Sequence, residues 1–273
     1  MATRLHRSMT FIFLLLMAST ALAVDDTTVR MATTTSARSS GLLEVLVPAF
    51  EQASGYKMRL RVVGTGRAMR MGRLGEVDVI LVNAPAAEQL FVADGWGVER
   101  RFIMKNDFIL VGPAADPAGI RGMRNAGQAL KRIAETESMF VSRADDSGTH
   151  KKELDCWSSM NIQPAGNWYF EAGLPMGDTL KLASEKQSYT LVDRGTWIKA
   201  RKQTRLELLV EGDPLLDNPY SMIKINPERH ADVNFKGATV LSYWLRSAQG
   251  QRLIENYRVE GEQLFFLQDS TTE

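Results

Sequence analysis

Residues Val77–Val82, Val-Asp-Val-Ile-Leu-Val, form a nearly continuous apolar run between two stretches with helical spacing. A strand of this kind is buried on both faces, as in parallel sheets covered by helices on each side. That single run constrains the surrounding chain, and its neighbours agree. Val29–Ala32 is short and β-prone. Leu42, Leu43, Leu46, Val47 and Phe50 recur at the spacing of one helix face, and Gly55 ends the pattern. Lys57–Val63 sets Met58, Leu60 and Val62 against Lys57, Arg59 and Arg61, the alternation of a half-buried strand. A helix is expected from Gly64-Thr65-Gly66 through Leu74, another over Pro85–Ala93, and a strand at Asp107–Val111. The order β-α-β-α-β predicts an α/β fold.

The pattern then starts again. Helices are expected over Ala126–Glu135, Thr149–Met160, Gly177–Glu185 and Gly195–Ala200, and strands at Phe140–Ser142, Tyr189–Val192 and Leu206–Val210. A further strand at Tyr220–Ile225, helices at Phe235–Leu245 and Gly250–Tyr257, and a strand at Gln263–Leu267 complete the chain. Two α/β units are therefore predicted, with proline-bearing breaks at Pro113–Pro117 and Asp213–Pro219. The division that follows is residues 24–112 for the first part of lobe I, 113–216 for lobe II, and 217–273 for a segment returning to lobe I.

Met1–Ala23 has the pattern of a cleaved export signal. Arg4 and Arg7 precede the apolar run Phe11–Met17, and Ala21-Leu22-Ala23 supplies a small-x-small cleavage site. The run is too short to span a bilayer, which needs about 20 residues. Removing Met1–Ala23, with Arg4 and Arg7, changes the formal charge from +1 to −1. A near-neutral chain has no field for a polyanion, which excludes nucleic acid as a partner. Cys156 is the only cysteine, so no internal disulfide is possible, and a structural zinc site is disfavoured.

Three polar turns sit where strands give way to helices: Thr33–Ser36, Gly64–Gly66, and Ser142–His150. Ligands of open α/β sheets bind at such edges. Free N–H groups at a helix start, with hydroxyls beside them, suit a small oxyanion. Arg143 could add a charged fork of hydrogen bonds. Each turn read alone is an ordinary capped helix start. Together, in an exported two-lobed chain, they point to anion capture.

At these residues the chain resembles the tungstate-binding receptors of ABC importers, the TupA-type solute-binding proteins. The likeness runs through Thr33–Ser36, Val63–Gly66, Val77-Asp78-Val79, Asn106-Asp107-Phe108 and Val111-Gly112-Pro113. It is densest at Ser142-Arg143 with Asp145–Glu153. It continues through Asn167-Trp168-Tyr169, Glu171-Ala172-Gly173, Asp193–Thr196, Val210–Pro214 and Gly261–Phe266, so it covers nearly all of Val29–Leu267. The resemblance implies a type II periplasmic binding fold, two α/β lobes joined by two crossover segments. It implies Thr34, Thr35 and Thr65 as oxyanion donors from lobe I, and Arg143, Ser147 and Thr149 from lobe II. Arg194 is a further candidate, or a partner of Asp193. The implied partners are a tetrahedral oxyanion and an ABC permease with its ATPase. The protein would act as a periplasmic monomer with no cofactor.

The turn after the Val77–Val82 run reads Asn83-Ala84-Pro85, without the acid that phosphate receptors use to hold a phosphate proton. This favours tungstate, molybdate or sulfate. Residue types do not separate tungstate from molybdate. Two other readings use the same loop. Ser147, His150 and Asp145 or Asp146 are the residue types of a hydrolase, and Asp145, Asp146 and His150 those of a cation site.

Overall fold

The computed structural model describes residues 27–267. The export signal expected at residues 1–23 lies outside them. In chain order, the first lobe begins with β1 (Thr28–Thr34), α1 (Thr35–Ser40), α2 (Leu43–Ser54), β2 (Lys57–Val63), α3 (Thr65–Arg73), β3 (Val79–Val82) and α4 (Pro85–Ala93). A long strand, β4 (Gly97–Pro113), leads out of it. The second lobe follows with α5 (Ala126–Glu135), β5 (Phe140–Ser142), α6 (Gly148–Ser158), β6 (Tyr169–Glu171), α7 (Met176–Lys186), β7 (Thr190–Asp193), α8 (Arg194–Ala200) and β8 (Leu206–Val210). The chain returns along β9 (Asp217–Ile225) and ends with α9 (Phe235–Leu245), α10 (Ala248–Glu255), β10 (Arg258–Val259) and β11 (Glu262–Gln263).

The main sheet runs β2-β1-β3-β9-β4-β7, with β8 also paired to β4. The pairs β1–β2 and β1–β3 are parallel. Within β3, Val79 and Leu81 face a core with Phe50, Trp244 and Phe265. Ile80 and Val82 face an opposite core with Ala68, Phe91 and Ile223. Val79–Val82 of the apolar run is thus a strand buried on both faces, with Val77 and Asp78 buried just ahead of it. The second half of β4 repeats the arrangement in lobe II. Phe108 and Leu110 pack with Phe140 and Trp157, and Ile109 and Val111 with Leu180 and Trp197.

β4 belongs to both lobes. Gly97–Asp107 pairs with β9, while Phe108–Pro113 pairs with β7 and β8. The change of partner at Asp107–Phe108 falls ahead of the Pro113–Pro117 break. The strand expected at Asp107–Val111 is therefore the end of a much longer element. Its first half carries Glu99, Arg100 and Arg101, which hide the strand pattern. These charges are accommodated because Arg100 pairs with the buried Glu88 and Glu99 with the buried Lys224. The register shifts between Val98 and Arg101, as at a bulge. No helix among the described residues is long and apolar enough to cross a membrane.

Candidate functional site

Because β1, β2 and β3 are parallel, their carboxyl ends lie on one edge of lobe I, and each leads into a helix start. Thr34 caps α1, its Oγ1 accepting from Ala37 N at 3.2 Å. Thr35 opens that helix and is half-buried. Thr33 and Thr65 are fully buried, yet neither hydroxyl has a partner. Buried polar atoms in folded proteins are nearly always paired. Two orphaned hydroxyls at one sheet edge are therefore chemically informative, since each can still donate to a ligand.

On lobe II the donors are organised around Arg143, which is 2% exposed. Its Nη1 donates to Thr149 Oγ1 at 3.2 Å, and its Nη2 to Asp145 Oδ2 at 2.5 Å. Asp145 Oδ1 accepts from Ser147 N at 3.2 Å, which closes the loop on itself. Ala144 and Asp146 have φ of 47° and 56°, so the backbone curls left-handed on either side of Asp145. Ser147 caps α6, with Oγ accepting from His150 N at 3.2 Å. Only Nε of the guanidinium lacks a partner.

Glu153 supports this loop from beneath. Its carboxyl accepts from Ser142 Oγ at 2.8 Å and from Tyr169 OH at 2.7 Å. Ser142 Oγ in turn accepts from Ala144 N at 3.2 Å. Burial pushes the Glu153 carboxyl up to about 7. Burial also raises the Asp193 carboxyl, and nearby Arg143 opposes the rise. Burial, and after it Asp193, raises the phenol of Tyr220 on β9.

Two glycines record how closely the lobes meet. A side chain on Gly148, the first residue of α6, would overlap the Asn83 amide at the end of β3. A side chain on Gly66, in the first turn of α3, would overlap the Asp146 carboxylate. The lobe I edge holding Thr65 therefore faces the loop holding Arg143, Ser147 and Thr149.

Arg194 is used elsewhere. Its Nε and Nη2 donate to Asp107 at 2.7 and 2.5 Å, and Nη2 also reaches Glu211 at 2.7 Å. Of the two alternatives for Arg194, ligand contact or a pair with Asp193, the second is replaced by pairs with Asp107 and Glu211. Asp193 instead caps α8, accepting from Thr196 N and Oγ1. The hydrolase arrangement is also absent from this loop, because Ser147 Oγ meets the backbone of His150. The His150 ring instead accepts from Asp146 N at 3.2 Å. Burial lowers the His150 pKa. Asp145 is bound to Arg143 and Asp146 to Lys151. Among the described residues no cluster of His, Cys, Asp and Glu could hold a metal ion.

Two α/β lobes on shared strands, with polar helix starts facing across the cleft, define a two-lobed binding protein of the type II fold. The model of the PBP superfamily domain matches residues 20–249. The chain is 46% identical over 232 residues to the tungstate-binding protein TupA of Peptoclostridium acidaminophilum, covering 84% of this chain and 81% of that one. The solved tungstate binding protein TupA from Desulfovibrio alaskensis G20 matches with a TM-score of 0.77 and 42% identity, covering 87% of this chain and 97% of that one. The tungstate ABC transporter structure from Geobacter sulfurreducens matches with a TM-score of 0.77 and 44% identity, covering 84% and 98%. The chain belongs to the TupA family of the PBP superfamily.

Proposed function

We propose that this protein captures tungstate between its lobes and delivers it to the permease and ATPase of an ABC importer. The observation that carries this reading is the presence, on both facing edges, of buried donors without a protein partner. Thr33 Oγ1 and Thr65 Oγ1 belong to one lobe and Arg143 Nε to the other. The relatives named above support the choice of anion. Dehydrating a dianion is costly, so its oxygens need many donors. Thr34, Thr35, Ser147 and Thr149 complete the proposed shell with the helix N-termini that carry them. Arg194, bound by two carboxylates, adds charge at a distance at most.

The anion would dock on one lobe, and a hinge motion about β4 and β9 would bring up the other. The proposed lobes are residues 24–112 with 217–273, and residues 113–216. The protein would work in the periplasm as a monomer, after loss of the export signal at residues 1–23.

Calorimetry of the mature chain with tungstate, molybdate, sulfate and phosphate tests the reading. Tungstate should bind and change tryptophan fluorescence, with phosphate ineffective. Tight phosphate binding without tungstate binding would overturn it, and competition between tungstate and molybdate would order those two.

A further inference from the structure

The edge of lobe I ends in a group the donor set above leaves unused. Asn83 follows β3 and is 3% exposed. Its Nδ2 donates to Asn218 Oδ1 at 2.8 Å. Asn218 Nδ2 donates to Asn106 Oδ1 at 2.6 Å and reaches the Tyr220 hydroxyl at 3.3 Å. Asn106 and Asn218 stand opposite each other on β4 and β9, the strands that join the lobes. A buried chain of three amides thus runs from the crossing strands to the cleft. At its cleft end, Asn83 Oδ1 has no partner. This end abuts the first residue of α6, since a side chain on Gly148 would overlap it.

A carboxamide has two ends of similar shape and opposite hydrogen-bonding character. Turning Asn83, Asn218 and Asn106 together preserves both links and reverses their direction, and the Tyr220 hydroxyl can then donate to Asn218. The atom facing the cleft becomes Nδ2, a donor. The group stays neutral in either orientation. An aspartate of the same shape would instead place a full negative charge against α6. Such a charge repels a dianion and can hold the proton of a monohydrogen anion.

We propose that Asn83 is a specificity-determining residue of the oxyanion site, the neutral group that admits a fully deprotonated tetrahedral dianion and denies monohydrogen phosphate a proton acceptor of full charge. Asn218 and Asn106 are positioning residues that fix its orientation. The inference rests on the oxyanion reading above.

The test is titration of wild type, Asn83→Asp and Asn83→Ala with tungstate and with inorganic phosphate at neutral pH. Asn83→Asp should weaken tungstate binding by about 100-fold or more, because facing like charges cost several kcal/mol. It should strengthen phosphate binding at the same time. Asn83→Ala removes the amide, a donor to the cleft in its turned orientation, without adding charge. It should weaken tungstate by roughly tenfold and leave phosphate weak. An Asn83→Asp protein with a native circular dichroism spectrum and the wild-type ratio of the two affinities would overturn the proposal. So would an Asn83→Ala protein with unchanged tungstate affinity. Wild-type protein that binds no tetrahedral dianion would sink the oxyanion reading itself.

Discussion

On the lobe I side of the cleft, Thr33 and Thr65 bury hydroxyls that no protein atom uses. On the lobe II side, Arg143 is already held by Thr149 and Asp145, and Asp145 by Ser147. One side keeps hydrogen-bonding capacity in reserve. The other spends most of it on its own rigidity, with its positive charge partly balanced inside the loop. The difference separates two effects that mutation usually mixes. Changes in lobe II should disturb both binding and the loop, whereas changes to the lobe I hydroxyls should act on binding alone.

Arg143→Ala should have the largest effect. It removes the buried guanidinium and leaves the partly exposed Asp145 with only the Ser147 amide, a loss of roughly 1.5–3 kcal/mol for a charged hydrogen-bonded pair. Calorimetry should show tungstate binding nearly abolished, and Arg143→Lys should not restore it, because an ammonium cannot reproduce the fork. Full affinity in either variant would remove Arg143 from the site. Gly148→Ala comes next. Its methyl group would overlap Asn83 and hold the lobes apart, at about 1–3 kcal/mol. Small-angle scattering should show no compaction of this variant on adding tungstate. Thr65→Val should lower affinity by about 1 kcal/mol while the melting temperature of the free protein stays the same or rises. A fall in both would mean that the two sides of the cleft do not differ as described.

Glu153 offers a test by pH. Burial raises its carboxyl from 4.5 to about 7 in the folded protein. The folded-state value lies above the unfolded one, so the native chain holds the extra proton. Stability from this group is present at low pH and falls as pH rises across that window. Glu153→Gln should flatten the dependence of melting temperature on pH between those limits, and an unchanged slope would exclude Glu153 as its source. The smallest effect on affinity is expected from Arg194→Ala, about 0.5 kcal/mol or less, because Asp107 and Glu211 already hold its guanidinium and balance its charge.

Much of the fold was legible because apolar spacing reports burial directly. The Val77–Val82 run identified β3 with its two cores, and Ala126–Glu135 matches α5. The first half of β4 was not legible, since Arg100 finds its partner Glu88 on the preceding helix and Glu99 finds Lys224 far away along the chain. Arg194 was left open between the ligand and its neighbour Asp193 for a related reason, because the fold brings Asp107 and Glu211 to it. The loop from Ser142 to His150 was visible as a dense polar turn at a helix start. Asn83 was visible only as a missing acid, and Asn218 only as part of a proline break. Neither amide has a spacing signature, because the chain they form depends on β3, β4 and β9 meeting in one sheet.

The sheet order has a consequence for the sequence of assembly. β9 lies between β3 and β4, and Val79 pairs with Lys224 from the far side of lobe II. Lobe II draws on one continuous stretch of chain. Lobe I must instead close a long loop before its inner strands have neighbours, which is the slower kind of folding step. A chain stopped before Asp217 would leave the exposed flanks of β3 and β4 unpaired. Assembly of lobe II should therefore precede completion of lobe I, and the cleft comes into being only once the return strand has been inserted.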